Sequence, residues 1–238
     1  MQVHLVGCGF LGSLFAEEVS KWSRALKLDM SWAVYDPDTI TDRNVANQLW
    51  SPQQIGMQKA EVMGDRIGSY MEEWEGKLQV HPEKMVDETL MWLKDADVVV
   101  CAVDNVPTRQ LLWKFSIASG IPLLSLGISQ EGSGNVDWTA FAHGVDTNPF
   151  SMAQPHTEEE IAKATKLDHL PPCELITFRG LGLNIAVAAT KALLILDGWD
   201  PEGVVHTPKQ KGPWGTFTTW QATPQGHSLL QVFTSKED

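Results

Sequence analysis

Along the chain, short apolar runs alternate with stripes of apolar residues at helical spacing. Residues 3–6 form an apolar run that opens straight into glycines. From 10 to 26, apolar side chains fall at Leu11, Leu14, Phe15, Val19, Trp22 and Leu26, the spacing of one helix face. Residues 31–35 predict a second strand, ending at Asp36. Ser51-Pro52 reads as a turn and cap before a helix over about 53–74, carrying Ile55, Ala60, Val62, Met63, Ile67 and Met71. A short strand at 77–81 and a short helix at 85–92 follow. Residues 97–103 predict a strand, apolar without a break after Asp97, the mark of a parallel strand covered on both faces. A helix over 107–118 stops at Gly120-Ile121-Pro122, and 123–126 predicts another strand.

Beyond Gly127 the pattern changes. Small polar residues lead into a possible reversed strand at 135–141. The stretch 144–172 is rich in Pro, His and Glu, with one predicted helix at 157–166. A connection this long inside a compact domain is usually functional or mobile. Residues 181–196 are apolar nearly all round, which predicts a helix buried in the core or at a subunit interface, ended by Gly198. The tail, 204–233, carries two β-like runs and a basic segment. Alternating strands and helices predict an α/β fold: Rossmann-like, with a mostly parallel sheet, helices on both faces and antiparallel strands in the C-terminal part. We read 1–238 as one domain. Residues 1–126 are its nucleotide-binding core, and 127–238 supply a substrate or crossover loop, a buried helix and a β tail. There is no internal repeat.

Composition narrows the function classes. In 238 residues the net charge is −12, which speaks against a non-specific nucleic-acid binder. The three cysteines, Cys8, Cys101 and Cys173, show no CxxC spacing, so neither a disulfide framework nor a structural zinc site is expected, and a reducing cytoplasm is. No apolar run reaches about 18 residues, so no membrane span is expected. The start of the chain lacks a basic segment and reads as a first strand, not a signal peptide. Ten tryptophans suit packing. The seven histidines form no HxxxH and read as surface or capping residues.

Candidate chemistry sits where strands end. Gly7, Gly9, Phe10, Leu11 and Gly12 make a GxGxxG loop between a predicted strand and helix, with Asp36 some way on. Gly7 and Gly9 allow a tight turn close to a phosphate, Gly12 lets helix and strand pack, and the helix N-terminus offers free N–H groups to an anion. Asp36 is placed to accept from ribose hydroxyls. Lys59 lies near a helix start, where the dipole disfavours a cation, so an anion is the expected reason for it. Asp104 follows the buried strand at the edge where open α/β sheets bind ligands, and suits Mg²⁺ shared with substrate phosphates.

Five motifs fall in order: the loop Gly7–Ser13; Asp36-Pro37-Asp38-Thr39-Ile40; Asn44 to Asn47 and Gln48; Ile55-Gly56 with Lys59; and Val103-Asp104-Asn105 with Thr108-Arg109. In these the chain resembles the ThiF/MoeB/E1-like family, the ubiquitin-activating adenylyltransferases and their bacterial relatives. The likeness spans about residues 3–126, with a looser echo at 180–194. It implies ATP and Mg²⁺ as cofactors and the C-terminus of a ubiquitin-like protein or a peptide as partner. It also implies a homodimer; the charge and the lack of a long apolar run speak against nucleic acid and membrane as partners. By the same resemblance Gly9 and Asp36 hold the nucleoside, with Asp38, Asn47 and Gln48 beside them. Asn44 and Lys59 hold phosphates, and Asp104 holds Mg²⁺. The family's arginine in NxxRQ is Asn47 here, and Arg43 is the candidate to supply that charge. The family's helices before the first strand, with their arginine, and its paired CxxC motif have no counterpart. Cys173, in a long loop, is the candidate for a thioester.

Three functions compete on these residues. The leading one is ATP-dependent adenylation of a carboxylate. An NAD-dependent oxidoreductase shares the glycine loop, but Lys59, Asp104 and the amide run speak against it. A non-catalytic E1-like scaffold subunit is favoured by Asn47 and opposed by Asp36, Asn44, Lys59 and Asp104.

Overall fold

The structure, a computed structural model, describes residues 1–72, 76–128, 133–139, 141–142, 145–146, 179–196, 216–222 and 228–234. Strand β1 (Gln2–Val6) leads through a glycine loop into α1 (Phe10–Leu26) and then β2 (Ser31–Tyr35). A short helix α2 (Asp42–Asn47), a 3-10 turn (Pro52–Gln54) and α3 (Lys59–Gly68) precede β3 (Leu78–His81). A second 3-10 segment (Asp87–Leu93) returns the chain to β4 (Val98–Cys101), followed by α4 (Val106–Ser119) and β5 (Leu123–Ile128). Then come β6 (Ser133–Thr139), the short β7 (Phe141–Ala142) and β8 (Val145–Asp146), α5 (Arg179–Leu196), β9 (Thr216–Ala222) and β10 (Ser228–Thr234).

Among the described residues the main sheet runs β10-β9-β6-β5-β4-β1-β2-β3. From β3 to β5 all five strands are parallel. β6 runs antiparallel to β5, and β9 and β10 continue antiparallel beyond it. The chain steps outward from β1 to β3 and then crosses back to β4 on the other side of β1. That reversal makes a crevice at the carboxyl ends of β1 and β4, the topological switch point at which such sheets bind ligands.

Alternation along each central strand feeds two cores. Val3 and Leu5, Trp32 and Val34, Val98 and Val100, and Leu124 and Leu126 face α1, α3 and α5. Val6, Ala33, Tyr35, Val99, Cys101 and Leu123 face Leu93 and Leu112 of the 3-10 segment and α4. Both faces are apolar because both are covered, and this is why β4 reads as a continuous apolar run. Each fully buried aliphatic side chain stabilises by about 1.5–3 kcal/mol, which helps strands of four or five residues persist.

Several elements depart from the sequence expectations. The helix expected over 53–74 is divided: Pro52–Gln54 form a 3-10 turn, and α3 begins only at Lys59 and ends at Gly68. The break comes from backbone pairing of 56–59 with 38–40, which takes those residues out of helical bonding. The short helix near 85–92 is a 3-10 segment. α4 starts at Val106, one residue early, because Asn105 caps it. α5 is apolar in sequence but two-sided in packing. Ile185, Ala186, Ala189 and Leu193 are buried, while Leu183 and Val187 are 39% and 51% exposed. His4, expected at the surface, is fully buried. The helix expected at 157–166 and Cys173 lie outside the described residues. No helix among the described residues is long and apolar enough to cross a membrane.

Candidate functional site

The glycine loop joins β1 to α1 at the carboxyl end of β1, beside the crevice. Gly7 has φ +97°, a conformation that side chains resist, and a Cβ there would stand 2.9 Å from the Ala102 carbonyl carbon just after β4. A Cβ on Gly12 would stand 1.9 Å from the Gly7 carbonyl oxygen, so only glycine lets α1 pack this closely on the loop. Gly9 is the N-cap of α1 and faces open space, with no atom within 4 Å of where a Cβ would be. The free N–H groups of the first helical turn therefore look onto an unobstructed position. The Leu11 side chain is in the core, and the Phe10 ring abuts Gly182 of α5.

Asp36 stands at the end of β2, only 5% exposed. Its Oδ2 accepts from the Cys8 N–H at 2.6 Å and its Oδ1 from the Asp38 N–H at 2.9 Å. One carboxylate thus ties the glycine loop to the turn after β2. Burial pushes its carboxyl above the usual range, and the nearby Lys59 charge and the two N–H bonds work against that rise. The same environment holds the Cys8 thiol in its neutral form: burial and the Asp36 charge raise it well above an ordinary thiol. Cys101, fully buried in β4, is raised by burial as well. Neither is placed as a nucleophile.

Lys59 is delivered to this corner by backbone pairing. The Ile40 N–H donates to the Met57 carbonyl and the Gly56 N–H to the Ile40 carbonyl, both at 2.8 Å, and the Lys59 N–H donates to the Asp38 carbonyl at 2.9 Å. Lys59 is then the first residue of α3, at the end of the dipole that repels a cation. Its ammonium lies 2.8 Å from Asp38 Oδ2, with the lysine side chain 8% and the aspartate side chain 63% exposed. Sequence reasoning expected an anion at Lys59. Here the chain itself supplies one, Asp38, whose spacing two residues after Asp36 was the available signal.

The amide run is turned largely toward local structure. Asn44 Oδ1 accepts from the Thr41 N–H at 2.9 Å and from Thr41 Oγ1 at 3.0 Å, closing a capping box on α2. That cap uses only the amide oxygen. Gln48 Oε1 accepts from Trp50 Nε1 at 2.6 Å. Arg43 is exposed, and Asn47 is the last residue of α2.

Across the crevice, Asn105 Oδ1 accepts from the Thr108 N–H at 3.0 Å and caps α4. Asp104, one residue earlier, is exposed, and its carboxylate has no hydrogen bond or ion pair among the described residues. A lone open carboxylate suits Mg²⁺, which keeps several waters and takes other ligands from phosphates. No cluster of three or more His, Cys, Asp or Glu among the described residues could hold a metal unaided. Arg109 is committed to the scaffold: it donates to Ser125 Oγ at 3.0 Å and to the Leu126 carbonyl.

An aromatic layer beneath β2 was not foreseen. Tyr35 and His81 stack at 4.7 Å and 6°, and His81 and Trp92 at 5.1 Å and 23°. Tyr35 OH lies 3.1 Å from His4 Nδ1, and His4 Nε2 lies 3.3 Å from Asp95 Oδ1. The period-two pattern of β1 was the missed signal, since it puts His4 on the same face as Val6.

The chain matches the ThiF family over residues 1–221. No curated protein matches it in sequence. Among the solved structures that resemble its fold are two of MccB. Escherichia coli MccB with succinimide has a TM-score of 0.65 and 14% identity over 99% of this chain and 64% of that one. Escherichia coli MccB with AMPCPP and selenomethionine MccA has a TM-score of 0.63 and 14% identity over 98% and 63%. The chain therefore spans a little under two thirds of the length of these MccB chains.

Proposed function

The chain belongs to the ThiF family, and from that premise we propose that it is an ATP-dependent, E1-like adenylyltransferase. Its substrate is the C-terminal carboxylate of a ubiquitin-like protein or a peptide. A carboxylate oxygen attacks the α-phosphorus of ATP, the bond to the bridging oxygen breaks, and pyrophosphate leaves with the electron pair. The product is an acyl-adenylate.

The observation that carries this reading is Lys59, an all-but-buried ammonium at the mouth of a glycine loop whose Gly9 faces open space. Adenylyl transfer depends on positioning the triphosphate and neutralising its oxygens, and a cation fixed beside free helix N–H groups does both. On this reading Asp36 orients the nucleoside, Asn44 and Arg43 serve the phosphates, and Asp104 would hold Mg²⁺, which would supply further neutralisation. A structural neighbour holding AMPCPP, an ATP analogue, together with MccA supports ATP and a peptide as the two reactants. The exposed Leu183 and Val187 on α5 support a homodimer, and light scattering at 26.4 kDa would count against it.

A second reading, a nucleotide-binding scaffold without turnover, is favoured by one observation: Asn47 stands where the family motif has arginine. Melting curves test the common core of both. Ligand at 100 times its dissociation constant adds about 2.7 kcal/mol, so Mg-ATP should raise the melting temperature by several degrees and NAD should not. A larger shift with NAD would sink both. Pyrophosphate exchange with a candidate peptide separates adenylation from scaffolding.

A further inference from the structure

The Asp36, Asp38 and Lys59 side chains form a trio with one net negative charge at the place where a polyanion is to bind. The three are not equivalent. Asp36 is sealed, with both oxygens occupied by backbone N–H groups. Lys59 is nearly sealed, and among the described residues its ammonium has a single carboxylate within ion-pair distance. Asp38 is 63% exposed and holds Lys59 through one oxygen. Its backbone is fixed at both ends: its N–H donates to Asp36 and its carbonyl accepts from Lys59. Only the carboxylate is free to move.

Lys59 could not wait for its ligand unpaired. A buried cation without a counter-ion is costly, and at the first residue of a helix the dipole adds to that cost. The chain places a removable counter-ion there. Triphosphate oxygens carry more charge than one carboxylate and offer several acceptors, so they can displace it. The displaced carboxylate needs no new partner, because it already faces water.

We propose that Asp38 is a positioning residue: it holds the Lys59 ammonium in place while the site is empty and yields it to the triphosphate when nucleotide binds. This rests on the nucleotide reading above and assigns Asp38 a role distinct from contact with the nucleoside. Binding is an exchange of partners at Lys59, so the apparent affinity for ATP is lowered by whatever the resting ion pair is worth.

The test is a double-mutant cycle on the full chain, with ATP and Mg²⁺ as probe and Asp38→Asn and Lys59→Met as the two changes. Asparagine keeps the backbone bonds and removes the charge, and methionine keeps the buried stem of the lysine. Lys59→Met should weaken ATP binding by at least about ten-fold, the scale of losing a charge-assisted contact. Asp38→Asn alone should tighten it by about five-fold, the upper range for a part-exposed ion pair, and should lower the melting temperature of the empty protein. In the Lys59→Met background the gain from Asp38→Asn should shrink below two-fold, a coupling that a purely structural role would not produce. Equal gains in both backgrounds would mean that Asp38 acts only by general repulsion, and the proposal fails. It fails equally if Asp38→Asn weakens ATP binding or leaves it unchanged, or if Lys59→Met has no effect. In those cases the wild type still binds ATP and nucleotide binding stands, but a silent Lys59→Met would remove Lys59 as its ground. If the wild type binds no ATP, that reading falls and this inference falls with it.

Discussion

The two walls of the crevice treat their polar groups differently. On the β2 side, Asp36 bonds Cys8 and Asp38, Lys59 pairs with Asp38, and Asn44 closes on Thr41. On the β4 side, Asn105 is spent on capping α4, while Asp104 stands open. One wall is a finished electrostatic structure that a ligand must rearrange. The other is a helix start with one carboxylate in reserve. Both walls occur at strand ends, where the sheet releases polar side chains, but only the β2 wall also has to hold a buried cation. A cation at the first residue of α3 obliges the surrounding chain to supply carboxylates.

The largest way to break the contrast is to collapse the loop that both walls share. Gly12→Ala puts a methyl where the Gly7 carbonyl oxygen already lies, 1.9 Å away, and backbone cannot swing aside as a flexible side chain can. We expect a loss of more than about 3 kcal/mol in urea unfolding, beyond ordinary overpacking. A loss under about 1 kcal/mol would mean that the loop gives way easily and is not the rigid element described here.

The next effect sharpens the contrast with acid. Only the β2 wall rests on the histidine layer. Burial lowers His4 to a pKa of about 4, with His81 lowering it further and the Asp95 and Asp97 charges opposing. A folded-state value below the unfolded one contributes stability that is present above pH 6.5 and is lost as pH falls toward 4. A shift of that size corresponds to about 3 kcal/mol over the full window. Urea midpoints at pH 7, 6 and 5 should fall in the wild type and flatten in His4→Gln, which removes the titration and can still accept from Tyr35 OH. Parallel slopes in the two proteins would overturn the assignment.

Much of this was legible before the structure. Glycine spacing, strand-end acids and the apolar run at β4 are local signals, and they predicted the parallel sheet and its crevice, because a sheet covered on both faces leaves few alternatives. What was hidden is pairing between segments far apart in sequence. Lys59 and Asp38 are 21 residues apart and meet only because 38–40 pairs with 56–59, which also cuts short the expected helix. His4 and Tyr35 are 31 residues apart and meet through the β1–β2 register. The seven histidines were judged by composition, and composition does not report which face of a strand a residue occupies.

The smallest effect separates two neighbours on the β4 wall. Asp104 and Asn105 both stand just before α4, and both residue types cap helices well. The structure gives the cap to Asn105, whose Oδ1 accepts from the Thr108 N–H at 3.0 Å. Asn105→Ala should therefore cost about 1 kcal/mol of stability. Asp104→Ala should change stability by less than about 0.5 kcal/mol, as an exposed carboxylate with no bonded neighbour does. If Asp104 also holds the Mg²⁺ that accompanies ATP, the two variants should exchange places in a binding experiment. ATP affinity would then depend on Mg²⁺ in Asn105→Ala as it does in the wild type, and lose most of that dependence in Asp104→Ala. Titrations of ATP with and without Mg²⁺, beside urea curves on the same preparations, give both readings. An Asp104→Ala protein of normal stability that keeps its full Mg²⁺ dependence would leave the open carboxylate without a ligand to hold, and the metal would have to be sought elsewhere on the crevice.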